Sequence, residues 1–346
     1  MTTWRGFASD NYAGIHPEVM AAINEVNVGH DVAYGDDATS TRLTDLVKDH
    51  FGPIAEIFPV FNGTGANVVA LQAMTRRWEA VVCAATAHVN VDEGGAPEHG
   101  AGLKLWTIPT PDGKLTPDLI DLQAWGFGDV HRAQPGAVTI TQSTELGTLY
   151  SVDEVAVIAD HAHSMRMGVH IDGARIANAA ASLGTGLREF TTDAGIDVVS
   201  FGGTKNGLML GEAVIVLNPA AAPGVDFLRK SSMQLASKMR FISAQLVALL
   251  SDDLWLRNAR HSNAMARLLE ERVRQIPGVA VVRPVQANAV FAVLPTDVTA
   301  RLQERFRFYT WDQGTGEVRW MCSWDTSESD VDAFATAIGA EMAASG

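Results

Sequence analysis

Lys205 lies in SFGGTKNGLMLGE (200–212), among Gly202, Gly203, Gly207 and Gly211 and directly after the apolar run DVVSF. Glycines let a backbone approach a ligand closely. A lysine at the carboxyl end of a buried strand loses proton affinity and becomes a usable amine nucleophile. A surface lysine in a Gly-rich turn is the other reading. A second segment, VHIDGARIANA (169–179), puts Asp172 at the end of an apolar strand and Arg175 in the turn that follows. A carboxylate there wants a cationic partner, and a structural Asp–Arg pair is one way to satisfy it. A third, FNGTGANVVAL (61–71), reads as strand, turn and helix. The amides of Gly63, Thr64 and Gly65 open a helix whose dipole favours an anion. No Gly-Lys-Ser/Thr follows, so this is not a P-loop. Val68 stands where a dinucleotide fingerprint needs Gly or Ala, so it is not that either.

The spacing ties these segments together. Asp172 and Lys205 end two strands separated by a single crossover of 33 residues (205 − 172). An aspartate facing a pyridine nitrogen and a lysine able to form a Schiff base are the two protein groups that pyridoxal phosphate needs. The Gly63–Thr64 helix start supplies a seat for its phosphate.

The ordered set resembles the threonine aldolases, β-hydroxy-amino-acid lyases of pyridoxal-phosphate fold type I, and within them the low-specificity L-threonine and phenylserine aldolase branch. The resemblance runs nearly end to end. It is carried by SDN (9–11), AYGDD (33–37), NGTGAN (62–67), TAHVNVDEGGAP (86–97), DVH (129–131), HIDGAR (170–175), GGTKNG (202–207), SKMR (237–240) and EVRWMCSWDT (317–326). It implies that Lys205 holds the cofactor, Asp172 binds its ring nitrogen, His88 stacks on the ring, and Gly63 and Thr64 bind the phosphate. Arg240 is implied to reach a neighbouring subunit's phosphate. Ser9, Arg175 and Arg319 are implied to hold the substrate carboxylate, a planar target suited to guanidinium forks. Arg175 also falls at the cofactor. His131 is the implied second histidine near the substrate hydroxyl, and Tyr34 and Glu93 match positions near the site. The base for the hydroxyl is left among His88, His131 and a water between them. Two segments depart from many members: QLASKMR (234–240) replaces a glycine run, and TQSTELG (141–147) replaces an Asn-His pair. Both point to broader or aryl substrate scope.

The implied activity is retro-aldol cleavage of threonine, allo-threonine or phenylserine to glycine and an aldehyde. A β-eliminating lyase or aminotransferase of the same fold type is the alternative enzyme, and a non-enzymatic phosphate-binding protein a third class. The resemblance also implies a homodimer or homotetramer with the active site at the subunit interface.

Positioning these residues takes alternating strands and helices, hence a mostly parallel sheet with helices on both faces. The expected strands fall at the start of EIFPVFNGTGAN (56–67), in the apolar run 80–88, and near 137–142, 169–172, 197–201 and 211–218. Helices are expected at 16–28, 39–51, from about Ala66, at 151–168 with Ser151 and Glu154 as a capping box, and as two long helices over 226–276. Residues 90–102 read as a loop. A small C-terminal α/β layer follows, with strands near 279–283, 288–294 and 318–322 and helices near 296–305 and 328–344. The expected division is a cofactor-binding unit, 1–250, and a small unit, 251–346.

The composition fits a globular chain. Of 346 residues, 47% are hydrophobic and 19% charged, which argues against disorder. Lys and Arg number 26 against 40 Asp and Glu, a net charge of −14. That mean field repels nucleic acid and anionic membrane, so any bound anion needs a local site. The first residues, MTTWRGFASDNYAG, lack the apolar stretch of a secretory signal. No run is long enough to span a bilayer. Cys83 and Cys322 give no disulfide framework, and a cytoplasmic location is expected. His161 and His163 are two apart on a helix and share no face, so with His170 they make no metal set.

Overall fold

The computed structural model describes residues 5–345; of the stretch read for a leader, residues 1–4 lie outside them. Eleven strands and twelve helices are described. The first half contains α1 (Pro17–Glu25), α2 (Ala38–Phe51), β1 (Glu56–Val60), α3 (Gly63–Met74), β2 (Glu79–Ala84), α4 (His88–Val91), β3 (Lys104–Ile108), α5 (Pro117–Asp121) and β4 (Gln134–Thr141). Next come α6 (Val152–Ser164), β5 (Gly168–Gly173), α7 (Ile176–Leu183), β6 (Val198–Gly202), β7 (Glu212–Val216), α8 (Val225–Ser231), α9 (Arg240–Leu250) and α10 (Leu254–Arg274). The last are β8 (Ala280–Val281), β9 (Ala289–Val293), α11 (Thr296–Gln303), β10 (Tyr309–Asp312), β11 (Glu317–Met321) and α12 (Glu328–Ser345).

Near-continuous apolar strands require cover on both faces, and the large sheet has it. Its order is β1-β7-β6-β5-β4-β2-β3. Strands β2 to β6 are parallel, and β7 runs antiparallel between β6 and β1. Six of the seven strands therefore point the same way. Their carboxyl ends share one edge, where open α/β sheets bind ligands. Thr141 on β4, Asp172 on β5 and Ser200 on β6 lie side by side in register. A second sheet, β10-β11-β9-β8, is antiparallel throughout.

Helix α6 starts as its capping box dictates: Glu154 N–H donates to Ser151 Oγ (3.1 Å) and Ser151 N–H to Glu154 Oε2 (2.7 Å). The stretch 226–276 differs from expectation, forming three helices rather than two. Helix α8 closes at Met233, whose φ of +61° is left-handed, with Gln234 N–H returning to Arg229 O at 2.9 Å. The chain from 234 to 239 then leaves the helix axis because both its flanks are tied down. Gln234 Oε1 accepts from Phe61 N–H (3.0 Å), and Ser237 O accepts from Tyr34 N–H (2.9 Å). Residues 90–102 also contain one irregular turn of helix over 96–100. Strands β3 and β10 went unread in the sequence.

Three main cores flank the site. The largest gathers Val19, Phe51, Val138, Ile171, Phe201 and Leu246; a second gathers Phe7, Leu269, Val290, Trp320 and Phe334; a third, under α3, gathers Val60, Val69, Leu71, Val81 and Val214. Helix α10 serves the first two, with Trp255 and Ala259 in the first and Met265, Leu269 and Val273 in the second. Phe7 of the N-terminal segment packs on the small sheet. Phe7 N–H donates to Arg307 O and Met321 N–H to Phe7 O, both at 2.7 Å, and the Phe7 ring stacks 4.4 Å from Phe334.

Candidate active site

Several segments deliver side chains to the site at the common edge. After β1, helix α3 begins at Gly63, three residues earlier than expected, with Asn62 as its cap. Asn62 Oδ1 accepts from Gly65 N–H at 2.7 Å, and Asn62 O accepts from Ala66 N–H at 3.0 Å. Of the first helical amides, Gly63 and Thr64 are left for an anion, and Gly65 is not. A Cβ on Gly63 would meet open space; one on Gly65 would strike the Gln234 side chain.

One helical turn on, Asn67 reaches down to the sheet edge. Its Nδ2 donates to Asp172 Oδ2 (2.9 Å) and to Glu93 Oε1 (2.7 Å). Asp172 is 4% exposed, and its Oδ1 accepts from Ala174 N–H at 3.0 Å. Glu93 Oε1 lies 2.9 Å from His88 Nδ1. With the carboxylate accepting, Nδ1 carries the hydrogen and Nε2 is left as the basic nitrogen. The Glu93 hydrogen bond raises the His88 pKa above its ordinary value, against the effect of burial. His88 also donates its main-chain N–H to Glu145 Oε1 (2.9 Å), and the Thr141 hydroxyl donates to the same oxygen (2.9 Å). Burial, and then the charge of Asp172, push Glu145 up to about 7.

Lys205 occupies the short helical turn after β6. Glu212 on β7 staples that turn by accepting from Gly203 N–H (3.0 Å) and Thr204 N–H (3.3 Å). Burial, and then the charge of Arg175, lower the Lys205 ammonium pKa below its ordinary value. Both favour the neutral amine that a nucleophile needs.

Arg175 is tied to a partner that sequence reasoning missed. Its Nε and Nη2 donate to the two carboxylate oxygens of Asp10 at 2.7 and 2.8 Å, and Asn288 Nδ2 donates to Asp10 Oδ2 at 3.0 Å. Burial pushes the Asp10 carboxyl up, but Arg175 outweighs it and holds the group below the ordinary carboxylate value. Two of the nitrogens expected to grip a substrate carboxylate are thus committed. Arg319 on β11 differs: its Nε is buried without a partner, its guanidinium stands 4.5 Å from the Trp311 ring, and burial lowers it to about 10. Arg319 Nη2 donates to Ala8 O at 3.5 Å, next to Ser9, whose Oγ accepts from Asn11 N–H. Asn67 Oδ1, Glu93 Oε2 and Glu145 Oε2 are likewise buried without partners among the described residues.

Three expected residues do not join this cluster within one chain. His131 is exposed and precedes the amino end of β4, whereas Asp172 pairs with Thr141 at its carboxyl end. Seven residues of strand, about 23 Å, separate the two levels. Tyr34 is 51% exposed and has a φ of +65°. Arg240 donates to the carbonyls of Val28 (3.2 Å) and Gly29 (3.4 Å), away from Gly63 and Thr64. The three named histidines of the middle region have separate partners: His161 with Asp121, His163 with Asp197, and His170 with Thr139 and Ser200.

The residues fit pyridoxal phosphate. A buried carboxylate, a lysine of lowered proton affinity and two free helix-start amides share one edge, with unpartnered polar atoms around them. Comparison with known proteins agrees. Residues 6–296 match the β-eliminating lyase family. Low specificity L-threonine aldolases of Pseudomonas sp. and Pseudomonas aeruginosa are each 46% identical over 340 residues, 98% of this chain and 98% of theirs. The threonine aldolase structure from Leishmania major superposes with a TM-score of 0.91 at 30% identity, covering 97% of this chain and 99% of that one. A TDC from Oryza sativa, solved with PLP and tryptamine, shares the fold (TM-score 0.78, 17% identity, 100% and 85% coverage). With its lysine, aspartate and helix-start amides at one sheet edge, this chain belongs to the threonine aldolases of the β-eliminating lyase family, carbon–carbon lyases of pyridoxal-phosphate fold type I.

Proposed function

We propose that the chain uses pyridoxal 5'-phosphate to cleave L-threonine, L-allo-threonine and related β-hydroxy-α-amino acids, L-phenylserine included, to glycine and an aldehyde. The observation that carries this reading is the chain His88–Glu93–Asn67–Asp172, with links of 2.9, 2.7 and 2.9 Å, beside Lys205. It joins a base to the group that would bind the cofactor ring.

When bound, the cofactor supplies an electron sink for the bond broken at Cα. Lys205 would hold it, Asp172 would keep its ring nitrogen protonated, and the Gly63 and Thr64 amides would take its phosphate. Arg319 would bind the substrate carboxylate, and Arg175, steadied by Asp10, would present its remaining nitrogen beside it. Fixing the carboxylate selects which bond at Cα stands perpendicular to the ring. His88 Nε2 would remove the β-hydroxyl proton as the Cα–Cβ bond breaks and the aldehyde carbonyl forms. A proton delivered to Cα then completes glycine, so protons balance over the cycle.

Exposed apolar residues support a homo-oligomer, dimer or tetramer. Val28 (69%), whose carbonyl accepts from Arg240, is exposed, as are Tyr34 and, on and just after α8, Phe227 (81%) and Met233 (82%); Tyr34 and Arg240 are the residues expected to serve a neighbouring site. Leu122, Trp125, Phe127 and Val130 (92%) are exposed in the same stretch of chain as His131, which would reach an active site from another copy. No helix among the described residues is long and apolar enough to cross a membrane, in keeping with a cytoplasmic enzyme. The test is a panel of threonine, allo-threonine and the phenylserines scored for glycine and aldehyde. Pyruvate with ammonia, or transfer to a keto acid, would replace this reading with the eliminating or transaminating one.

A further inference from the structure

Arg175 and Arg319 are held in different ways. Arg175 spends Nε and Nη2 on the carboxylate of Asp10, which neutralises it. Arg319 spends Nη2 on Ala8 O at 3.5 Å, and its Nε is buried without a partner. Glu317, two residues along β11 and so on the same face, is the acid placed to pair with it, but Arg283 takes both its oxygens at 2.6 and 3.1 Å. Aromatic rings stand where an acid would. Arg319 pairs in register with Phe291 of β9 and Tyr309 of β10, so these side chains share one face of the small sheet. Trp311 has no opposite residue: Thr310 pairs with Val318 and Asp312 with Glu317. It is the extra residue of a bulge, a device that re-aims a side chain. The bulge has a local cause. Asp312 is tied into the turn that follows, its Oδ1 accepting from Gly314 N–H (2.7 Å) and Thr315 N–H (3.1 Å) and its carbonyl from Gly316 N–H (3.0 Å). The Trp311 ring centre then lies 4.5 Å from the Arg319 guanidinium carbon, against 6.0 Å for Tyr309. Phe291 braces Trp311 edge-on, with ring centroids 5.7 Å apart and planes at 83°.

A ring face attracts a cation without taking its N–H groups and without cancelling its charge; a carboxylate does both. We propose that Trp311 is the positioning residue of Arg319: it holds the guanidinium by its face, so that the charge and the edge donors stay available for a substrate carboxylate. The two arginines then divide the task, Arg175 fixed by an acid and Arg319 fixed by a ring. This rests on the reading of Arg319 as a carboxylate-binding group.

The test uses the cofactor-loaded enzyme and the variants Trp311→Leu, Trp311→Phe and Arg319→Ala. Leu fills much of the space without a ring face, and Phe restores the face. Trp311→Leu should weaken glycine binding, read from the cofactor absorbance, and raise KM for hydroxy-amino acids, each by roughly tenfold, the scale of one partly desolvated cation–π contact. Its kcat should change little. Trp311→Phe should recover most of the loss. Phenylethanolamine, an amino alcohol that lacks the carboxylate, should bind wild type and Trp311→Leu alike. Equal weakening of both ligands, or a Phe variant no better than Leu, overturns the positioning role. Crystal structures of the wild-type and Trp311→Leu holoenzymes give a second readout. The guanidinium should keep the stacked orientation in the first and leave it in the second; an Arg319 unmoved in Trp311→Leu overturns the proposal, whatever the substrate. Glycine binding that Arg319→Ala leaves unchanged overturns the carboxylate reading instead, and the crystal structures still decide whether Trp311 sets the guanidinium.

Discussion

Asp10 offers the sharpest test of how the site is held together. Its carboxylate takes two hydrogen bonds from Arg175 and one from Asn288, and it is 2% exposed. One side chain thereby joins the N-terminal segment, the turn after β5 and the entry to β9. Removing one partner of a buried pair strands the other charge, at about 3–5 kcal/mol. For a chain longer than 250 residues each kcal/mol is worth about 2 °C, so Asp10→Ala should melt roughly 6–10 °C lower. The stranded group is a guanidinium facing a carboxylate-sized hole, so formate should fill it. At a hundred times its dissociation constant, formate returns about 2.7 kcal/mol, most of the loss, and it should do little for the wild type. The pH dependence has a defined sign. Arg175 holds Asp10 below the ordinary carboxylate value, so its contribution is complete at neutral pH and is lost only as the pH falls through that depressed value. The gap between wild type and variant should therefore be flat above about pH 5 and close in acid. Differential scanning fluorimetry at fixed protomer concentration reads all three effects. A loss under about 2 °C, or equal rescue of both proteins by formate, would refute the reasoning.

Lys205→Ala should give no covalent cofactor adduct after borohydride reduction, read by mass spectrometry; a surviving adduct assigns the attachment elsewhere. Arg319→Ala should raise KM for hydroxy-amino acids more than it weakens cofactor binding, and an unchanged KM would exclude it from carboxylate binding. Asn67→Leu removes one donor from two buried carboxylates, each bond to a charged group being worth about 1.5–3 kcal/mol. Turnover should fall at least tenfold while far-ultraviolet circular dichroism is retained, and normal turnover would show that the bridge from Glu93 to Asp172 is idle. His170 is buried, neutral and bonded to Thr139 (2.8 Å) and Ser200 (2.9 Å), with its pKa lowered to about 4 by burial. The unfolded chain takes up the proton first, so stability should fall as the pH drops from 6.5 towards about 4, by up to about 3 kcal/mol. Urea melts of His170→Asn should show a shallower acid dependence than the wild type; parallel curves would exclude His170 as the source.

Lys205 and Asp172 could be read from the sequence because each signal is local: an apolar strand, its end, and a residue type that apolar surroundings make reactive. The sheet converts those positions into one edge without further information, since parallel strands in register bring their ends level. Arg175 shows where local reading stops. A pairing with an aspartate was one of its open readings, but the aspartate in hand was Asp172, three residues away, and the true partner is Asp10, 165 residues distant. Asn67 was hidden in the apolar helix NVVAL, where an asparagine has no local meaning until the helix is laid over β5. Glu145 sat in a segment noted only for lacking the Asn-His pair of many relatives. Its signal, an acid between Thr144 and Leu146 at the end of a buried strand, was available but ambiguous. These missed residues share one property. They are acids and amides that partner the cations and the base, and partnering is a tertiary fact. They also explain how a chain of net charge −14 builds an anion site. Asp10 neutralises Arg175 and Glu93 orients His88, which leaves Arg319, held by Ala8 O through one nitrogen, and two helix-start amides as the attraction for a phosphate and a carboxylate.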